Sequence, residues 1–305
     1  MRRLSSAKGI LVFYAFDALL LLVFLLSFLP MFRRGAVRRE KSALLNPRFV
    51  SSVQEISIAG RGTDGESGLR VNLTRADSVW TGTDSLSGFS QRWPCDMQTV
   101  SNLLETASRL VDLYTKGSGP KQWNDFSVDD ENALSLTFCG GNGDVLSKLF
   151  FGQEDPVTGR IAVRTWTKDT VYETDAAIAP FLTAVPSFWC DPFVFPQVVT
   201  GLSRSEAERT LRRGKLEAIS GPNLALPPAR TFFDDFGNGA AATLFVHEAP
   251  AEAESPDESV LVEAAFAPPL SCTAAEQEAI RAVRYWYRIS RWTYESLASM
   301  HGNGV

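Results

Sequence analysis

The chain has 305 residues, 45% of them hydrophobic, and 30 Lys and Arg against 35 Asp and Glu leave it at −5. Residues 1–41 hold eight basic and two acidic side chains, so the other 264 residues carry −11. An acidic body of that size argues against nucleic acid and against a membrane-coating surface, and leaves room for two modest domains or one large one.

Gly9–Phe32, GILVFYAFDALLLLVFLLSFLPMF, is apolar apart from one charged side chain, Asp17. At about 1.5 Å per residue a helix of this length reaches roughly 36 Å, enough for a ~30 Å hydrocarbon core, so it is expected to be a single transmembrane helix. It is longer than a signal-peptide core and no small-x-small site follows it. A carboxyl at that depth costs a few kcal/mol against lipid, so Asp17 is expected either to face a partner helix or to be a tolerated, neutral acid in a leucine-rich helix that absorbs the penalty. Arg33, Arg34, Arg38, Arg39 and Lys41 form a basic collar that outnumbers Arg2, Arg3 and Lys8, a bias towards a cytoplasmic C-terminal side.

After the collar, Val53–Ala59, Gly68–Leu73 and Ser78–Trp80 alternate as a strand meander. Asp96–Thr115 is expected to be a helix, with Val100, Leu103, Leu104, Ala107, Leu110, Val111 and Tyr114 on one stripe. Ala133–Phe138 and Val145–Phe151 flank the turn GGNGD; Ile161–Trp166 and Thr170–Glu173 form a further pair, and Asp175–Phe188 reads as a short apolar helix. The pattern resets at Phe193–Thr200. A capping box at Ser205–Glu208 is expected to open a helix to Arg213, and Leu216–Ile219, Thr231–Phe233, Ala241–His247 and Ser259–Phe266 read as strands. The acidic EAPAEAESPDE reads as a loop, and Thr273–Glu276 caps a helix expected to run to about Arg288. Strand groups interrupted by single helices predict an α+β fold with antiparallel sheet. The expected organisation is an anchor and collar at 1–41, an α+β domain at 42–200 and a smaller one at 201–305.

Chemistry-bearing residues are few. Arg281, Arg284, Arg288 and Arg291 recur at steps of three and four, which on a continuous helix makes one basic face for an anion, a lipid headgroup or an acidic partner; a solvated face backed by aromatics is the more ordinary account, and RISRWTYESL could also be a strand, which would dissolve the stripe. Asp129-Asp130-Glu131 and Asp234-Asp235 stand in turn contexts where Asp serves local hydrogen bonds. GGNGD lacks the lysine of a phosphate loop, His247 falls in an alternating strand, and no GxSxG occurs. No catalytic, cofactor or metal residue is assigned: two histidines and four cysteines (Cys95, Cys139, Cys190, Cys272) without CxxC spacing do not make a usual zinc site. The cysteines permit three disulfide pairings in an oxidising compartment, or serve as small buried apolar residues in a reducing one.

Trp80, Pro94-Cys95-Asp96 with Val100, Leu103 and Leu104, Phe151-Gly-Gln-Glu-Asp-Pro-Val-Thr-Gly159 and Val163-Arg164 together resemble a family of uncharacterised membrane-anchored proteins. That family is encoded beside gliding-motility-type ABC transporter components. The resemblance covers roughly residues 45–200, with Cys95 replacing a small alanine. It implies a non-enzymatic accessory subunit on the outer, periplasmic side of the cytoplasmic membrane, with ABC transporter-type membrane subunits as partners. The collar charges point the other way. Two rival functions are a tethered envelope hydrolase and an anion- or lipid-binding module using the four arginines.

Overall fold

The computed structural model describes residues 14, 16–24, 39–60, 69–84, 91–203, 205–206, 216–220, 227–247 and 259–301. Its strands are β1 (Arg39–Ala43), β2 (Glu55–Ala59), β3 (Arg70–Ala76), β4 (Val79–Asp84), β5 (Arg92–Pro94), β6 (Leu110–Ser118), β7 (Leu134–Cys139) and β8 (Val145–Asp155). There follow β9 (Arg160–Thr165), β10 (Thr170–Asp175), β11 (Leu216–Ser220), β12 (Arg230–Gly237), β13 (Ala240–His247), β14 (Ser259–Ala267) and β15 (Arg284–Ser290). They join in the order β1-β6-β10-β9-β8-β7-β2-β3-β4-β5-β15-β14-β13-β12, with β11 also on β15. Each pairing is antiparallel.

The helices are short: α1 (Met97–Ser108), α2 (Pro120–Asp125), α3 (Pro186–Trp189), α4 (Gln197–Thr200), α5 (Ala274–Arg281) and α6 (Arg291–Met300). The architecture is therefore mostly β, which corrects the expected α+β class. The N-terminal span is corrected with it. Residues 14 and 16–24 are helical and exposed, Asp17 among them, but no described helix is long and apolar enough to cross a membrane. The rest of Gly9–Phe32 lies outside the described residues, as do the helix expected up to Arg213 beyond residue 206 and the acidic loop 248–258.

Helix spacing was misleading wherever it coincided with strand-forming residues. In the stripe expected over Asp96–Thr115, Val100, Leu103 and Ala107 are buried on α1, and Asp96 caps it by accepting from the Gln98 amide at 3.1 Å. Arg109 is already extended, and Leu110–Ser118 leaves as β6 to pair with β1 and β10. Val111, Tyr114 and Thr115 suit a pleated surface better than a helix, and two partner strands outweigh the small propensity difference. Aromatic-rich Arg284–Ser290 likewise becomes β15, so the helix opened at Thr273 stops at Arg281. Pro180 and Pro186 divide the expected 175–188 helix into a 3-10 turn, Ala176–Phe181, and α3.

Trp93, Trp189, Tyr285, Tyr287, Phe138 and Phe151 are the largest fully buried side chains of the core. Trp93 lies across from Gly82 in the β4–β5 pair, and a Cβ on Gly82 would stand 2.1 Å from its ring. On a second, smaller apolar cluster Val128, Ala133, Phe150, Ala162 and Val171 pack with Trp123 and Phe126.

The C-terminal strands are locked to the N-terminal meander by α5. Its capping box pairs Thr273 with Glu276. Glu276 also accepts from the Ser78 hydroxyl and, at 3.1 Å, from the Ser78 amide, while the Thr273 hydroxyl donates to Asp77 at 2.6 Å. The Ser78 hydroxyl, then the Thr273 amide, hold the Glu276 carboxyl below its ordinary 4.5 against the opposing effect of burial. A depressed folded-state pKa stabilises at pH values above the ordinary one, and the contribution fades as pH falls below 4.5. We expect Glu276→Gln to cost about 1–2 kcal/mol near neutrality, from the lost charge-assisted bonds. Urea midpoints of wild type and variant should converge below 4.5; a gap constant down to acid pH would remove the ionised carboxylate from the lock.

Candidate functional site

The antiparallel registers of β12 to β15 build one outward face row by row. Phe233, Thr243, Ala265 and Arg284 stand side by side across the four strands; Thr231, Phe245, Glu263 and Trp286 form the next row. His247, Leu261 and Arg288 form the third. Alternate residues Tyr285, Tyr287 and Ile289 point the other way, into the core. Period two thus puts Arg284, Trp286 and Arg288 on one side of β15.

Within this face Glu263 is the hub. Arg284 donates to its Oε1, and the His247 Nε2 lies 4.0 Å from its Oε2. Glu263, His247, Leu261 and Trp286 are buried, and the His247 ring tilts over Trp286 at 4.5 Å between centroids. The Trp286 amide donates to Gln91 at 2.7 Å. The arginines stay outside: the Arg284 side chain is 67% exposed, and the exposed Arg288 donates to the Ser259 hydroxyl at 3.0 Å. At about 3.4 Å per residue the two stand roughly 14 Å apart along the strand.

The other predicted arginines flank this pair from different elements. Arg281 ends α5 and donates to Gln277 at 3.1 Å; Arg291 opens α6, 3.4 Å from Glu295 and over the Tyr294 ring at 5.3 Å. The expected continuous helical stripe is replaced by helix, strand and helix, so Arg284 and Arg288 share a face by strand period and Arg281 and Arg291 do not belong to it. Asp17 lies in the exposed N-terminal helical segment.

The acidic clusters are committed elsewhere. Asp130 pairs with Arg164. Asp129 accepts from the Glu131 and Asn132 amides at 3.0 and 2.8 Å; burial raises its carboxyl, and these bonds outweigh that and leave it below the ordinary value. Asp234 meets the His301 Nε2 at 2.9 Å, and Asp235 accepts from the Gly237 amide at 2.8 Å. Among the described residues no group of three or more His, Cys, Asp and Glu is arranged to hold a metal ion.

Sequence reading missed Arg75 and took Arg164 only as part of a family motif. Arg75 separates two shallow clefts of about 450 and 440 Å³, an apolar one against Val50, Trp80, Met97 and Leu104 and a polar one against Glu55, Thr74 and the glycines of GGNGD. Arg164 is 4% exposed, between the Trp123 and Phe150 rings. Buried arginine has no local sequence signal beyond standing at an inward strand position, and that inward position was readable only as apolar.

The arrangement from β5 through β11 carries the motifs Pro94-Cys95-Asp96, Phe151–Gly159 and Val163-Arg164. Residues 90–220 match the family model described as Domain of unknown function (DUF4340). The DUF4340 segment thus takes in α1, β6 to β10 and β11, while the arginine face of β12 to β15 lies beyond it. No curated protein and no solved structure matches the chain.

Proposed function

We propose that the chain is a membrane-associated, non-enzymatic accessory protein that works through protein contacts in an ABC-type transport or gliding-type assembly. The observation that carries this reading is the pair Arg284 and Arg288, exposed on one face of β15 around buried Trp286 in a body that is otherwise strongly acidic. Local positive charge on an acidic body selects acidic groups on a partner and sets its orientation. Phe233, 62% exposed in the same row as Arg284 and three strands away, supplies an apolar contact on the same face. The uncharacterised-domain match over 90–220 and the apolar run Gly9–Phe32 support the family setting that the motifs imply. In that setting the body works at the cytoplasmic membrane, on its outer side, with integral membrane subunits as partners.

The reading is tested on tagged full-length protein extracted from its native membranes in mild detergent. Transporter-type subunits should co-purify with it, and Arg288→Glu should reduce their recovery about tenfold, equivalent to roughly 1.4 kcal/mol. Arg288 bonds to a neutral partner, the Ser259 hydroxyl, so reversing it does not strand a buried acid. Protein that migrates alone, or a complex indifferent to the reversal, would remove this function from the face.

A further inference from the structure

We infer that Cys95 and Cys190 are a cross-strand disulfide pair, a covalent modification site closed by a disulfide-class oxidant. The two residues form an isolated antiparallel bridge. The Asp96 amide donates to the Trp189 carbonyl at 2.8 Å and the Asp191 amide to the Pro94 carbonyl at 2.9 Å. Those bonds flank Cys95 and Cys190 and leave them as a directly opposed, non-hydrogen-bonded pair. Such a pair has Cα atoms about 4.5 Å apart and side chains on the same side, inside the ~4.4–6.8 Å span that a disulfide bridges.

Both residues are buried, at 3% and 2% exposure, where they close one edge of the core beside Tyr285. Burial, followed by the nearby carboxylates of Asp191 and Asp96, pushes both thiols well above their ordinary value. The attacking thiolate therefore forms while the site is transiently open or still folding, and the closed bond is then shielded.

The chemistry is thiol–disulfide exchange with a small-molecule or protein disulfide. One cysteine thiolate attacks a donor sulfur, forming a mixed disulfide and expelling the first donor thiolate. The second cysteine sulfur attacks the cysteine sulfur of that mixed disulfide, making the Sγ–Sγ bond and expelling the second donor thiolate. Two cysteine thiols are oxidised by two electrons, and the donor disulfide is reduced to two thiols that take up the two protons. The bond ties the start of α1 to the end of α3 across all of β6 to β10. It lies within the DUF4340 segment and is independent of the arginine face.

The test uses purified full chain in detergent, held in oxidised and reduced glutathione at sub-denaturing urea, then alkylated and mapped by non-reducing peptide mass spectrometry. Peptides containing Cys95 and Cys190 should be recovered joined, two hydrogens lighter, with Cys139 and Cys272 alkylated. The Tm of the oxidised protein should exceed that of the reduced protein by about 10 °C. The Cys139→Ser/Cys272→Ser variant should still form the link. Alkylation of both Cys95 and Cys190 in the oxidised sample, or their linkage to Cys139 or Cys272, would overturn the assignment.

Discussion

Trp189→Ala should destabilise the protein by about 4 kcal/mol, the largest single-site loss expected in this fold. Trp189 is fully buried, its Nε1 donates to the Thr183 carbonyl at 2.8 Å, and Phe188 meets it edge-on at 5.0 Å. Its own carbonyl receives the Asp96 amide, so the residue fixes where the start of α1 meets the turn that ends at Cys190. Alanine removes the ring, opens a cavity that this strand-bounded core fills poorly, and takes the donor from Thr183. At about 2–4 °C per kcal/mol for a chain of this size the melting temperature should fall by about 12 °C. Trp189→Phe keeps most of the volume and should cost about 1–2 kcal/mol. Denaturant melts separate the cases: the midpoint should shift with an unchanged slope, and a loss under 1 kcal/mol for alanine would mean the site collapses around the gap.

Arg164→Ala should cost about 3 kcal/mol, close behind. The guanidinium carbon of Arg164 lies 4.2 Å from the ring centroids of both Trp123 and Phe150. Its Nε donates to the Val128 carbonyl at 2.9 Å and its Nη2 to Asp130. Asp130 is largely exposed and is left in water when the arginine goes, so the ion pair itself supplies little of the loss. The cost comes from two desolvated cation–π contacts and from the Val128 carbonyl, which loses its donor. Arg164→Lys should recover less than half of it, because an ammonium lacks the flat fork that fills the slot between two rings while bonding a carbonyl. Equal stability of the lysine variant and wild type would show that charge alone serves there.

Strands were the most legible elements. Eleven of the segments read as strands, from Val53–Ala59 to Ser259–Phe266, coincide with observed ones to within a few residues. Alternation is a short-range property that solvent on one side and core on the other impose directly. Leu110 to Thr115 and Arg284 to Ser290 were misread because apolar and charged residues there satisfy steps of three or four and of two at once. Their neighbours on the sheet settled the matter. The four arginines were legible as charge but not as a surface: strand period joined Arg284 to Arg288, and the helix ends separated Arg281 and Arg291 from them. Arg164 was legible only as an arginine in a strand.

Composition and local pattern thus sufficed for the acidic body, the apolar N-terminal run, the caps at Asp96 and Thr273, and most strand positions. Each rests on a residue and its near neighbours in the chain. The pairing of β15 with β5, of β1 with β6 and of Cys95 with Cys190 depends on partners 67 to 192 positions away. Local preference is silent about such pairings, since backbone hydrogen bonds look alike in every register and burial of side chains from both partners selects one. That selection made the expected α+β layers a mostly β architecture, an antiparallel sheet with short helices upon it.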